Sequence, residues 1–312
     1  MKKVLVAGAS GGIGTALVKE LRSRSIVVHA FARNKAKLNQ LYGETPHINI
    51  FTGDALHVEE MARAANGVDT IFHAVSFPYP DWPKTHMRCL ENLIQLAEEQ
   101  QAKVVLIDNI YAYGNPKTSH VTENTIKQPH TKKGKLRYEM EMTLKKSGVP
   151  YTIVHLPDLY GPNATNTILY ETLKNVSKNK QAIFVGPMNT AREYVFTEDA
   201  AKATIELALN SEAVNQCWNI PASHPVTGDE LLTIVKDLGY TKSFRPISKN
   251  AIRLLGIFSP FMRELTEMMY LTETPVILNG KKYEQLMGGI ETTPYAIGLE
   301  KTIAWIKGEN AN

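Results

Sequence analysis

The sequence predicts a doubly wound α/β fold: a parallel sheet with helices on both faces, joined to a smaller, discontinuous C-terminal lobe. Three observations carry this. Up to residue 162, short apolar runs alternate with stretches of helical periodicity. The first run, KVLVA, is apolar after its lysine, as in a strand buried on both faces. Four glycines in GASGGIG (residues 8–14) then separate it from an amphipathic stretch.

The elements follow in order. Strand one is residues 3–7 and its helix 13–24. Strand two is 26–33, followed by a short helix at 35–41. Strand three, 47–54, precedes a helix at 58–65; strand four, 69–76, precedes one at 83–100. Strand five is 103–109, helix five 134–147 and strand six 151–157. Such alternation requires right-handed crossovers and places ligands beyond the carboxyl ends of the strands. After Gly161-Pro162 the pattern loosens. A helix is expected at 167–178, a short strand and helix within 192–210, a helix at 228–239 and two short amphipathic helices within 250–271. The expected division is a dinucleotide domain of residues 1–162 plus about 191–221, and a substrate lobe of about 163–190 plus 222–312.

Composition narrows the function classes. The chain has 312 residues, 43% of them apolar and 21% charged, enough for a core that needs no covalent staples. Its two cysteines, Cys89 and Cys217, suggest no disulfide framework, and a reduced, cytoplasmic setting is expected. The apolar run at the N-terminus is too short for a signal peptide and reads as strand one. No stretch approaches the ~18–20 apolar residues of a membrane span, so no membrane partner is expected. A net charge of +4 suits an anionic ligand but lacks the dense basic stripe of a nucleic-acid binder. His57, His86 and His224 have no partners at ligand spacing, and no metal site is expected.

The glycine loop points to a dinucleotide. At a strand-to-helix turn, glycines let backbone amides approach a pyrophosphate, and the helix N-terminus adds its positive dipole end. Gly8 is expected to make the tight turn, Gly11 and Gly12 the close approach, and Gly14 the packing of helix on strand, with Ile13 among the cofactor contacts and Ser10 offering a hydroxyl to an adenosine 2′-phosphate. A turn serving chain reversal alone is the bland alternative. Strand two ends Ala32-Arg33-Asn34, with a guanidinium where an NAD-preferring site carries a carboxylate. NADP is therefore favoured, with NAD the alternative.

The spacing Gly-x-x-Gly-x-x-Gly, Gly53-Asp54 after strand three, Ala74-Val75-Ser76 after strand four, Tyr113-Gly114, Leu159-Tyr160-Gly161-Pro162 and Arg192-Glu193-Tyr194-Val195 occur in one order along the chain. In this order they resemble the extended and atypical short-chain dehydrogenase/reductases, which include sugar-nucleotide epimerases and dehydratases. The resemblance implies a Rossmann-type domain, with Asp54 and Ala55 near the adenine and Ala74, Val75 and Ser76 beside the cofactor. Leu156 and Pro157 would face the nicotinamide. Relatives often dimerise through helices four and five, which implies a homodimer.

The family's catalytic pattern is incomplete. It sets a Tyr and, four residues on, a Lys at the start of helix five, with a Ser or Thr four residues before the Tyr of Tyr-Gly. Counting back from Tyr113 gives Asn109, which lacks a hydroxyl. Lys135 best fits the motif lysine, and four residues earlier stands Thr131, not Tyr. Tyr113, Tyr111 and Tyr79 remain as proton donors, beside a water held by Asn109 and Lys135. Asp158 ends strand six and either binds substrate hydroxyls or caps the turn. Arg192 either clamps an anionic substrate group or pairs with Glu193 or Asp199. Two functions follow: an NADP-dependent oxidoreductase or epimerase acting on a polar carbonyl compound or sugar nucleotide, or an NADP-binding sensor without turnover.

Overall fold

A computed structural model describes residues 1–309. The main sheet is built from β1 (Lys3–Ala7), β2 (Val27–Ala32), β3 (Ile48–Thr52), β4 (Thr70–His73) and β5 (Lys103–Asn109). After the two-residue β6 (His120–Val121), β7 (Tyr151–Leu156) follows; β8 (Asp158–Tyr160), β9 (Ala182–Val185) and β10 (Tyr194–Phe196) precede β11 (Gln216–Asn219). The sheet has seven strands in the order β11-β7-β5-β4-β1-β2-β3, and every pairing is parallel. The order reverses at β1, whose neighbours are β2 and β4. A ligand crevice is expected at that switch point, outside the carboxyl ends of the strands.

Two helical layers cover the sheet. On one face lie α1 (Gly12–Ser23) and α7 (Thr197–Leu209). Leu17, Val18 and Leu21 meet Ala200, Ala201 and Ile205 there, and the two alanines let the helices approach closely. The other face carries α3 (Val58–Ala65), α4 (Trp82–Gln100) and α5 (Lys132–Lys146). Met61, Leu90, Leu93 and Leu144 bury against Leu5, Ile71 and Val104. Each such leucine contributes about 1.5–3 kcal/mol on leaving water. The short α2 (Lys35–Tyr42) is capped by the Asn34 side chain, which accepts from the Lys37 amide at 3.0 Å. Tyr42 reaches back from it to donate to the Ala9 carbonyl at 2.5 Å, pinning the glycine loop.

A second core joins α6 (Ile168–Ser177), β9, α8 (Gly228–Asp237), β12 (Phe244–Ile247) and the terminal helix Tyr295–Glu309. Leu173, Phe184, Leu231, Phe244 and Leu299 fill it. Thr227 opens α8 with a capping box, exchanging hydrogen bonds with Glu230. The expected pair of short helices is α9 (Lys249–Leu255) and α10 (Pro260–Thr266), leaning over the carboxyl edge of the main sheet. No helix of the described residues is long and apolar enough to cross a membrane.

Candidate active site

The glycine loop lies at the switch point. Gly8 has φ +92°, and a Cβ there would stand 2.4 Å from the Ala74 carbonyl, so β1 and β4 converge too tightly for a side chain. At Gly14 a Cβ would stand 2.1 Å from the Gly8 carbonyl. Gly12 needs its bare Cα for a reason the sequence did not suggest: a Cβ would lie 2.6 Å from the backbone of Ala164. Gly11 differs, because a Cβ there meets no atom closer than 3.5 Å. It is exposed and occupies the N-cap of α1 without a side-chain cap. The first-turn amides of such a helix have no carbonyl partner within it. Asn163 braces the loop, donating to the Ser10 carbonyl at 2.9 Å and to the Thr15 hydroxyl at 2.7 Å.

The remaining cofactor candidates lie on α1 and at or just beyond the carboxyl ends of β2, β3, β4 and β7. Arg33 is exposed just beyond β2, and the helix start behind it is capped by Asn34. Asp54 receives the Leu56 amide at 3.0 Å, while the carbonyl of buried Ala55 holds the Asn92 side chain at 2.9 Å. Ile13, Ala74, Val75, Ser76, Leu156 and Pro157 all line one cavity of about 770 Å³. This volume is typical of a small-molecule site.

Among the polar groups lining that cavity, four lie at or beyond the ends of β4, β5 and β7. The Tyr79 and Tyr111 hydroxyls are hydrogen-bonded at 2.7 Å. Burial raises both phenols, Tyr79 to about 12 even though the bond to Tyr111 pulls it down, and Tyr111 well above the usual value. Asn109 accepts the Tyr111 amide at 3.0 Å through Oδ1, so the group it can offer a ligand is its NH₂. Asp158 also lines the cavity, its carboxyl raised by burial and opposed by the charge of Arg192.

Beside them sits an ion pair that the sequence reading missed. Arg137 on α5 and Asp108 on β5 line the cavity with Nη1 and Oδ1 3.5 Å apart. Both are buried, and Arg137 Nε and Asp108 Oδ2 have no partner among the described residues. The guanidinium lies 4.6 Å over the Trp82 ring. His73 and His86 lie in the adjoining interior, where burial and the Arg137 charge lower both; His73 falls to about 3 and stays neutral.

Three expectations are corrected. Tyr113 does not face the cavity; it is fully buried and donates to Asn219 Oδ1 at 2.7 Å, on the side of His155. Lys135 points to solvent; the inward face of α5 carries Lys133, Arg137, Met140, Glu141 and Leu144. The helix register is therefore two residues from the expected one. Thr131, four residues before Lys135, is the N-cap of α5, accepting the Gly134 amide at 3.0 Å. Arg192 pairs with neither Glu193 nor Asp199. It donates to the Val185 carbonyl at 2.9 Å, lies over Phe184 and Tyr194, and borders a smaller recess shared with Asp158. One sequence signal held the register of α5: Met140 and Leu144 must be buried, and Arg137 and Lys133 lie on their face.

These features suit a dinucleotide: open amides at the start of α1, an unobstructed Gly11, and a buried donor and acceptor without partners among the described residues at Arg137 and Asp108. Comparison with known proteins agrees. The chain is 22% identical over 263 residues to an uncharacterized UDP-glucose epimerase, YtcB, of Bacillus subtilis (77% of this chain, 83% of the relative). It is 25% identical over 248 residues to cinnamoyl-CoA reductase 2 of Arabidopsis thaliana (69% of this chain, 74% of the relative). The UDP-glucuronic acid 4-epimerase of Bacillus cereus, solved with NAD and UDP-glucuronic acid, superposes with TM-score 0.79 at 16% identity, covering 98% of this chain and 99% of that one. The dTDP-glucose 4,6-dehydratase of Bacillus anthracis, solved with NAD, gives 0.81 at 17% identity, covering 100% and 98%. The family model described as NAD(P)H-binding matches residues 8–183, more than half the chain. The chain belongs to this NAD(P)H-binding family, with the fold of the epimerases and dehydratases of the extended short-chain dehydrogenase/reductase group.

Proposed function

We propose that this protein reduces a carbonyl compound with NADPH, the Tyr79–Tyr111 hydroxyl pair supplying the proton. The observation that carries this is the pair itself: two phenols 2.7 Å apart on the wall of the cavity that reaches the ends of β4, β5 and β7. A bound reduced nicotinamide supplies the hydride. The glycine-loop amides hold the pyrophosphate, and Arg33 pairs with the 2′-phosphate. Arg137 Nε donates to a ribose hydroxyl and Asp108 Oδ2 accepts from one. The Asn109 NH₂ donates to the substrate oxygen and orients it.

The family's Tyr-x-x-x-Lys pair would fall on Lys133 and Arg137, the residues one turn apart on the inner face of α5. Lys133 is not free for acid–base work. Its Nζ is held by the Glu264 carboxylate and lies 3.3 Å from Glu267 Oε1, which also accepts its backbone amide at 3.0 Å. The proton therefore has to come from another hydroxyl. With its pKa raised to about 12 by burial, the Tyr79 phenol carries its proton throughout the neutral range.

Spectrophotometry at the NADPH absorbance band tests this. Tyr111→Phe and Tyr79→Phe should each lower kcat by roughly 10²–10⁴ while NADPH affinity stays constant. The kcat/KM for reduction should be flat between about pH 6 and pH 9, since the donor is fully protonated throughout. Full retention of rate in both variants would remove the pair from the mechanism. Tight NADPH binding with no turnover across aldehydes, ketones and sugar nucleotides would favour the sensor reading instead.

The cofactor preference has its own test. Arg33→Ala should weaken NADPH by roughly tenfold to a hundredfold, the loss of a charge-assisted pair, and leave NADH unchanged. Equal losses for both, measured by calorimetry, would mean that Arg33 does not contact the 2′-phosphate.

A further inference from the structure

We infer that the compound reduced in this cavity is uncharged and largely apolar, not a sugar nucleotide. The inference rests on the proposed hydride transfer but goes beyond it. Away from the strand ends most of the cavity wall is hydrocarbon, assembled from segments far apart in the chain: Ile168 of α6, Ile183 and Val185 of β9, Ile247 of β12, Ile252 of α9 and Leu265 of α10; the polar positions there, between Thr165 and Asn175, all come from α6 and the turn before it. On the opposite side Phe77, Tyr79 and Trp82 present ring surface. At the strand ends, Asn109 and Tyr111 are the groups placed to fix a carbonyl. Such a site has a polar end at the strands and a predominantly apolar remainder, and it suits a carbonyl on an alkyl or aryl body.

Charge argues in the same direction. The one cationic side chain lining the cavity, among the described residues, is Arg137, which already faces Asp108. Asp158 lines the same cavity, and Glu171 at its wall is an acid paired with Lys174 at 3.8 Å. A nucleoside diphosphate would bring about two negative charges into this space with no free cation to meet them, and burying an unpaired charge is costly. Arg192 offers no remedy, because it is turned behind β9 onto Phe184 and Tyr194.

The mouth carries the same character. At the turn between α9 and α10, Leu254, Leu255, Ile257 and Phe258 are 62%, 44%, 67% and 86% exposed. Leu255 also lines the cavity, so hydrocarbon surface runs from solvent to its interior.

Binding to the intact protein tests this without requiring turnover. With NADP⁺ saturating, primary alcohols from butanol to decanol are titrated against Trp fluorescence, Trp82 lying in the wall, with UDP-glucose as the polar probe. The expected result is an affinity that rises by up to about fourfold per added methylene until the cavity is filled. UDP-glucose should show no saturable binding. Ile247→Asp, at a half-buried wall position, should flatten the chain-length dependence without altering NADP⁺ affinity. Affinity independent of chain length in the parent protein, or saturation by UDP-glucose below any alcohol, would overturn the inference. Loss of NADP⁺ binding itself would instead overturn the cofactor reading, so the two failures are separable.

Discussion

Gly11→Asp should abolish NADPH binding and leave the protein as stable as before, within about 0.5 kcal/mol. The position is exposed, and a Cβ there meets nothing closer than 3.5 Å, so the fold does not oppose the side chain. An aspartate at a helix N-cap is even a favoured residue. What it opposes is the ligand. Its carboxylate would stand beside the pyrophosphate, and two unit charges about 4 Å apart repel by about 4 kcal/mol at an effective dielectric near 20. That corresponds to roughly a thousandfold in Kd. Gly14→Ala makes the contrast. Its Cβ would stand 2.1 Å from the Gly8 carbonyl, so the loop or the helix must shift, and stability itself should fall. Calorimetry with NADPH and urea denaturation of both variants separate the two roles. If Gly11→Asp binds NADPH like the parent, the loop serves chain reversal and the dinucleotide site lies elsewhere.

The same contrast explains what the sequence could and could not show. The main sheet was legible because β1, β2, β5 and β7 are long apolar runs between helices with clear periodicity. Its edge strand β11 was not, because QCWN mixes polar and apolar residues and gains its identity only by pairing with β7. The two-to-four-residue strands β6, β9 and β12 likewise depend on partners supplied by distant chain. The register of α5 failed for a different reason. Its inner face carries Lys133, Arg137 and Glu141, so the usual rule that charged residues face water pointed the wrong way. The burial of Arg137 and its pairing with Asp108 were hidden for that reason, and the apolar wall because its residues come from five separate segments. By contrast the tyrosines were visible as types, and only their places were open: Tyr111 and Tyr79 meet in the cavity while Tyr113 turns away.

Glu141→Gln should cost roughly 3–5 kcal/mol, the largest stability loss we expect from a single polar substitution in this chain. The Glu141 carboxylate is 2% exposed and lies among Lys127, Lys145 and His155. Asn219 orders this group: its Nδ2 donates to the Val121 carbonyl at 3.1 Å, so Oδ1 is free to accept from Tyr113 and from His155 Nδ1. With the proton on Nδ1, His155 Nε2 accepts from Lys127 at 2.8 Å. The ligand atoms of Glu141, His155 and Cys217 lie within 4.8 Å of one another, but the positive charge of the cluster is already supplied by the two lysines. Removing the carboxylate leaves Lys127, 6% exposed, as an unpaired buried cation. Burial alone would raise the Glu141 carboxyl, yet the charge and the hydrogen bond of Lys127 hold it far below its usual value. The sign follows. A depressed folded-state value gives stability that is complete above the unfolded value near 4.5 and is lost as pH falls below it. The gap between parent and Glu141→Gln, measured by urea denaturation, should therefore be constant from pH 6 to pH 8 and shrink progressively below about pH 4.5. Adding Lys127→Met to Glu141→Gln should recover part of the loss, because it withdraws the stranded charge. A gap under about 1 kcal/mol at neutral pH, the size of an exposed pair, would show that water reaches this cluster and that the end of α5 owes its place to packing alone.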